Sequence, residues 1–132
     1  MQMEEIRIGR DGTWYFNGGK MFRLEFVQLL SSHLQLKDEQ YFICWMNQEV
    51  PVVVEDVPYV ITSVQSVGNG GYKASLNDAR EVDLPGGEII FQAETPYCRL
   101  FSDSVLDAKF TRAAFWQIHP YLIEREEGRF WL

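Results

Sequence analysis

The order of apolar patterning predicts an α+β fold: mainly antiparallel strands, two principal helices, and one body built of two similar lobes. Three observations carry this expectation. Glycine-rich turns separate short runs of β-branched and aromatic residues, as in hairpins. Two stretches, ending near His33 and His119, change to helical spacing. Each is then followed by an aromatic strand, YFICW at 41–45 and RFWL at 129–132, so the histidines and trailing strands pair at an offset near 86 residues (119 minus 33). No linker rich in Pro, Ser or charge intervenes. The expectation is a single compact domain over 1–132, with repeated lobes at about 1–50 and 90–132 joined by a central strand region.

Taken in order, Ile6 and Ile8 alternate with polar neighbours, Asp11-Gly12 turns the chain, and Thr13-Trp14-Tyr15-Phe16 resumes as a strand. An Asp-Gly step supplies the positive φ of a hairpin turn; Asn17-Gly18-Gly19 then closes the piece. Phe22, Phe26, Leu29, Leu30, His33 and Leu34 fall at helical spacing opposite Arg23, Glu25, Gln28, Ser31 and Ser32, which predicts an amphipathic helix of about three turns. Strands follow at 41–46, 50–55 and 57–67, and Gly68-Asn69-Gly70-Gly71 leads as a hairpin loop into 72–76. Pro85-Gly86-Gly87 turns into a strand at 89–93, and another lies at 96–101. Asp103 or Ser104 caps a second helix over about 105–118. Its apolar residues, among them Phe110, Ala114, Phe115, Trp116 and Ile118, occupy more than one face, so it should be more buried than the first. Pro120 ends or kinks it at His119. The aromatic end, Phe130-Trp131, should dock in a sheet.

Composition narrows the function. The chain has 132 residues, 46% hydrophobic and 14% aromatic, which is a globular composition long enough for a proper core. A net charge of −7 repels phosphate backbones and argues against nucleic acid as a partner. The first residues, MQMEEIRIGR, carry acids where a secretory signal carries bases, and no apolar run reaches the roughly 20 residues that span a bilayer. Cys44 and Cys98 are far apart and read as reduced thiols. The expectation is a cytoplasmic protein with no membrane partner; its oligomeric state is not written in the sequence.

Candidate chemistry centres on VVVEDVPYV, residues 52–60, where Glu55 and Asp56 interrupt an apolar run. In one strand, adjacent side chains point to opposite faces and form no proton-sharing dyad. A turn or bulge before Pro58 would bring them together. The structural reading is preferred: Asp56 bonds local backbone at a strand break, and Glu55 pairs with a base, Arg23 or Arg112. His33 and His119 lack metal-ligand spacing and suit helix C-termini, where an imidazole complements the dipole. A Cys98–His119 nucleophile pair has no local support, and an inert buried thiol is favoured. The glycines of VGNGGY and LPGGEI lack the lysine and following helix of a phosphate loop and read as turns. Thus no catalytic residue, metal or cofactor is assigned. Aromatics such as Trp14, Tyr15, Tyr59, Tyr97 and Trp116 either line a pocket or pack the core. Arg23 and Arg112, one on each helix, offer bidentate contacts to an anion, or simply surface charge.

Several ordered motifs together resemble the bacterial family called domain of unknown function 1285. They are DGTWYFNG, then Arg23 opening a short helix, then VVVEDVPY, then ETPYCRL before a second helix carrying Arg112. Members of that family show a similar DGxWYxNG start, a VEDxPF-like centre and a PYL-like strand before the last helix. The resemblance runs from about Ile6 to Leu122 and implies two similar, intimately packed lobes. It implies no established activity; ligand sensing or signalling is the role it brings as a proposal. The chain departs from the family where Thr-Pro-x-Glu-Lys is replaced by Trp45-Met46-Asn47-Gln48-Glu49, and where the stretch before LPGGEI is short. The resulting expectation is a non-enzymatic module sensing a small anionic ligand in a cleft between the lobes, with Arg23, Arg112, Trp14, Tyr59, Tyr97 and Glu55 as contacts. Its rivals are a protein-interaction module using an exposed strand edge and an unrecognised hydrolase using Glu55, Asp56 or Cys98.

Overall fold

The computed structural model describes residues 5–132. The chain divides into two compact units, with the boundary between Pro58 and Tyr59.

In the first unit the strands are β1 (Ile6–Ile8), β2 (Trp14–Phe16), β3 (Gly19–Lys20), β4 (Leu34–Lys37), β5 (Gln40–Trp45) and β6 (Gln48–Val54), with helix α1 (Leu24–Ser32) between β3 and β4. The sheet order is β3-β2-β1-β6-β5-β4. The expected hairpin forms, with Ile8 opposite Trp14, and β1 also runs parallel to β6, with Ile6 opposite Val52. Ile6, Ile8, Trp14, Ile43 and Val52 then share a buried face with Val27 and Leu30 of the helix.

Helix α1 is shorter than the periodicity predicts and buries a different stripe. Arg23 is still extended, at φ −81 and ψ 105, so Phe22 stands outside the helix and is 83% exposed. Val27, Leu30 and Ser31 face the core, whereas Leu24 and Phe26 remain at the surface. Leu34 belongs to β4, paired with Ile43. His33 does end the helix: its N–H donates to Leu30 O and Ser31 O, and its ring Nδ1 lies 2.9 Å from Leu29 O.

The second unit contains β7 (Tyr59–Ser66), β8 (Tyr72–Leu76), β9 (Glu81–Asp83), β10 (Glu88–Gln92), β11 (Thr95–Cys98) and β12 (Ala108–Phe110). Helix α2 (Arg112–Ile118), a 3-10 turn (His119–Tyr121) and the hairpin of β13 (Ile123–Glu126) and β14 (Arg129–Trp131) follow. Its sheet order is β13-β14-β10-β11-β12-β7-β8-β9. Setting aside β13 and β14, this is the order of the first unit over again. The first and sixth strands lie side by side and parallel, each continued outward by two antiparallel strands. The structure is therefore an α+β fold of two similar lobes, antiparallel in its pairings among the described residues except at those two central pairs. The helices enter that order at different points, after the third strand in one unit and after the sixth in the other.

The predicted helix over 105–118 is corrected. Ala108–Phe110 is strand, parallel to β7 and antiparallel to β11. The helix starts only after Thr111, whose Oγ1 accepts the Ala114 N–H at 3.2 Å, a cap worth about 1 kcal/mol. Asp103 and Ser104 therefore do not cap it. Nor is α2 the more buried helix, since only Ala114 and Ile118 are covered and Trp116 is 61% exposed. Gln117 fastens it to the sheet by accepting the Val64 N–H at 2.6 Å. The α-helix ends before Pro120 as expected, but His119 keeps helical angles (φ −49, ψ −44) and continues into the 3-10 turn.

The aromatic end docks as predicted, with β14 between β13 and β10. Arg129 grips Glu88 with two hydrogen bonds, Nε to Oε2 at 2.7 Å and Nη2 to Oε1 at 2.8 Å, and lies 5.0 Å over the Trp131 ring. These bonds hold the Glu88 carboxyl below its ordinary range, so their contribution is present above about pH 4.5 and is lost as pH falls through the lowered value.

Four two-residue turns place both central residues at positive φ: Asn17-Gly18, Asp38-Glu39, Met46-Asn47 and Ala93-Glu94. Only the first has the composition such turns favour. Glu94, at φ 71, carries a side chain where glycine is unstrained. Glu94→Gly is expected to raise stability by about 0.5–1 kcal/mol, after the entropy of the freer unfolded chain is deducted. A urea titration showing a lower midpoint for the variant would contradict this.

Candidate functional site

A hollow of about 270 Å³ lies wholly in the second unit. Its apolar floor comes from four places in the chain: Leu84, Ile89, the Cys98–Leu100 stretch and Phe110. Its mouth carries Arg99, Ser102, Asp103 and Glu88 beside the backbone of Gly86 and Gly87.

Each wall has a local cause. After β9, Leu84 donates its N–H to Tyr72 O at 2.9 Å, and Pro85 leads into the paired glycines. A Cβ on Gly86 would come within 3.0 Å of the Leu132 carbonyl oxygen, so the backbones can meet only without a side chain there. Gly87 differs: a Cβ on it would meet nothing within 4 Å, while its carbonyl accepts the Leu132 N–H at 2.9 Å. On the opposite side the chain from Arg99 to Asp107 wraps around the Asp107 carboxylate. Oδ1 accepts the Leu100 N–H at 2.6 Å, and Oδ2 accepts those of Phe101 at 2.9 Å and Ser102 at 3.1 Å. The Ser102 hydroxyl oxygen accepts from Ser104 N–H and Val105 N–H. This wrapped loop sets Arg99 and Asp103 at the mouth.

The charges divide clearly. Glu88 is held by Arg129. Burial pushes the Cys98 thiol up to about 12, with the nearby Asp107 adding to it, so Cys98 is a neutral part of the floor. Burial also raises the Asp107 carboxyl, against the downward pull of its three backbone donors. Arg99 lies near enough to Glu88 to help hold that carboxyl down. Among the described residues, neither Arg99 nor Asp103 has a direct hydrogen bond or ion pair.

The residues singled out by sequence divide between the units. Trp14 is 2% exposed in the first unit's core, and its indole Nε1 is buried without an acceptor among the described residues. Tyr59 and Tyr97 are buried in the second unit, Tyr59 with its ring edge-on to Phe101 at 4.8 Å. All three aromatics serve cores. Arg23 precedes α1 on the surface, beside a shallow apolar hollow of Phe26 and Leu29. Arg112 is the first residue of α2 and is also exposed. Glu55 pairs with neither of them. Its base is Arg7, whose Nη1 donates to Oε2 at 3.2 Å, while Arg10 N–H donates to Oε1 at 3.1 Å. Strand β6 stops at Val54, so strand alternation does not separate the two acids. Arg10 gathers them, its guanidinium lying 3.6 Å from Asp56. The Cys98–His119 pairing is not built: Cys98 lies in the hollow's floor, and His119 packs against Phe115 and Trp116. The VGNGGY glycines form the β7–β8 hairpin loop.

Two units sharing one sheet order, each with a parallel central pair and one helix, define the structural class. Comparison with known proteins agrees. Residues 1–57 match the family described as Domain of unknown function (DUF1285), N-terminal domain. A DUF1285 family protein from Silicibacter pomeroyi DSS-3 is 25% identical, with a TM-score of 0.74 over 96% of this chain and 73% of that one. A second, from Shewanella baltica OS155, is 20% identical, with a TM-score of 0.72 over 89% of this chain and 91% of that one. The chain thus has the fold of these two DUF1285 family proteins, and the family model matches its first 57 residues. No curated protein matches it. Among the described residues no helix is long and apolar enough to cross a membrane.

Proposed function

We propose that this protein is a non-enzymatic small-ligand-binding module of the cytoplasm, serving a sensing or signalling role, and that it binds its ligand in the hollow of the second unit. The observation that carries this reading is the combination of enclosure, apolar floor and charged mouth in one unit, the usual build of a small-molecule site. A binding role is favoured over chemistry by the state of the reactive groups. A thiol pushed up to about 12 is a poor nucleophile at neutral pH, and Glu55 and Asp56 are engaged by Arg7 and Arg10.

Gly87→Trp tests the site, because open space beside that Cβ lets a large side chain enter without backbone strain. In a thermal-shift screen against small metabolites, a ligand at 100 times its Kd should stabilise the wild type by about 2.7 kcal/mol and leave Gly87→Trp unmoved. If no compound shifts the wild type, the reading fails.

A second reading, recruitment of another protein, draws on an aromatic hollow elsewhere in the second unit. There the rings of Phe91, Phe115, Trp116 and His119 meet edge to face at 5.3–5.9 Å, and Trp116 is well exposed. It requires a partner whose binding is lost in Trp116→Ala and kept in Gly87→Trp.

A further inference from the structure

Resting on that reading, we infer that the ligand is a small zwitterion with an apolar side chain, an α-amino acid of the aliphatic class or a close analogue. The mouth of the hollow carries charges of both signs, Arg99 and Asp103 on the wrapped loop and Glu88 on β10. Glu88 is already committed to Arg129 by two hydrogen bonds, so the uncommitted pair is one guanidinium and one carboxylate. A simple anion facing Arg99 would meet the unneutralised Asp103 carboxylate, and a simple cation would meet the Arg99 guanidinium. A molecule with both charges satisfies both groups. Arg99 takes the carboxylate through two parallel N–H donors, and Asp103 accepts from the ammonium.

The floor decides the rest. Leu84, Ile89, Cys98, Leu100 and Phe110 are all buried hydrophobic residues, and Cys98 is uncharged, so the part of the ligand that descends is apolar. About 270 Å³ lies just below the roughly 300–1,000 Å³ of drug-sized sites. That suits a molecule of amino-acid size and excludes a nucleotide.

Isothermal titration of the full chain with leucine, valine, methionine, glycine, isovalerate and isoamylamine tests this. Leucine, valine or methionine should bind. Isovalerate, which lacks the ammonium, and isoamylamine, which lacks the carboxylate, should each bind at least tenfold more weakly than leucine, and glycine should not bind measurably. Arg99→Gln and Asp103→Asn lie at the surface and should keep the wild-type melting point while weakening leucine at least tenfold. Leucine binding should vanish in Gly87→Trp. Isovalerate matching leucine, either charge variant binding normally, or leucine still binding Gly87→Trp would overturn the inference. If no amino acid binds but another metabolite stabilises the wild type and not Gly87→Trp, the zwitterion assignment falls and the ligand-binding reading stands. If nothing binds at all, both fall.

Discussion

Asp107→Ala is expected to lower stability by about 3–5 kcal/mol, because a buried acceptor is removed from several backbone donors at once. Three N–H groups converge on this one carboxylate, and the shortest bond, 2.6 Å from Leu100, is fully buried. The Phe101 and Ser102 donors are partly buried and recover some solvation from water. Leu100 therefore carries the largest share of the loss. For a chain of this length the melting midpoint should fall by about 10–20 °C. Asp107→Asn keeps one carbonyl oxygen but turns an NH2 toward a donor, so its loss should be about half as large.

The pH dependence gives the same experiment a second readout. Burial raises the Asp107 carboxyl above its ordinary value of 3.8. Folding thus makes the carboxyl easier to protonate than it is in the unfolded chain. Its stabilising contribution is full below pH 3.8 and is lost as pH rises through the folded value. The stability of the wild type relative to Asp107→Asn should decline over that interval, since asparagine does not titrate. A difference that is flat with pH, or an alanine variant as stable as the wild type, would show that the loop holds itself without this carboxylate.

The same residue explains why part of the fold was not legible in the sequence. Residues 105–110 have helix-compatible composition, and Asp103 and Ser104 look like caps. The deciding interactions lie elsewhere: Asp107 spends its oxygens on residues five to seven positions earlier, and Ala108 finds its strand partners at Tyr59 and Cys98. Three hairpin turns were hidden for a different reason. Asp38-Glu39, Met46-Asn47 and Ala93-Glu94 adopt glycine-like angles under the constraint of the strands they join. The Asn17-Gly18 and Gly68 to Gly71 turns carry their own chemistry and could be read directly. Strand β4 is hidden although LQLK alternates, because the helical spacing before it runs on through Leu34.

Much the same holds for the candidate site. Arg99 and Asp103 gave no local signal, since the hollow gathers segments near 84–89, 98–103, 110 and 132 that only the sheet order brings together. The one clue was Gly86-Gly87, which read rightly as a non-nucleotide turn without showing what it borders. Conversely, Trp14, Tyr59 and Tyr97 attract notice as pocket residues because aromatic side chains suit both pockets and cores, and burial alone separates the two.

In the first unit the largest expected effect belongs to Ile8, and it bears directly on VVVEDVPYV. Ile8→Ala should cost about 2–5 kcal/mol, the range for deleting an aliphatic side chain from a packed interior. Ile8 is 0% exposed on the central strand, opposite Trp14 on one side and Val54 on the other. The upper half of that range applies if the sheet, pinned on both sides, cannot close around the space left behind. Glu55→Gln should cost a small fraction of that, because its ion pair with Arg7 is half exposed and screened by solvent. Its neutral amide oxygen can still accept the Arg10 N–H. Chemical denaturation of both variants separates the roles. A Glu55→Gln loss equal to that of Ile8→Ala would mean that the carboxylates hold the unit together. The expected ordering instead assigns the stability to Val52, against Ile6 and Tyr41, and to Val54 against Ile8. The acids then mark where the strand stops, fastened by Arg7 and Arg10 to the strand beside it.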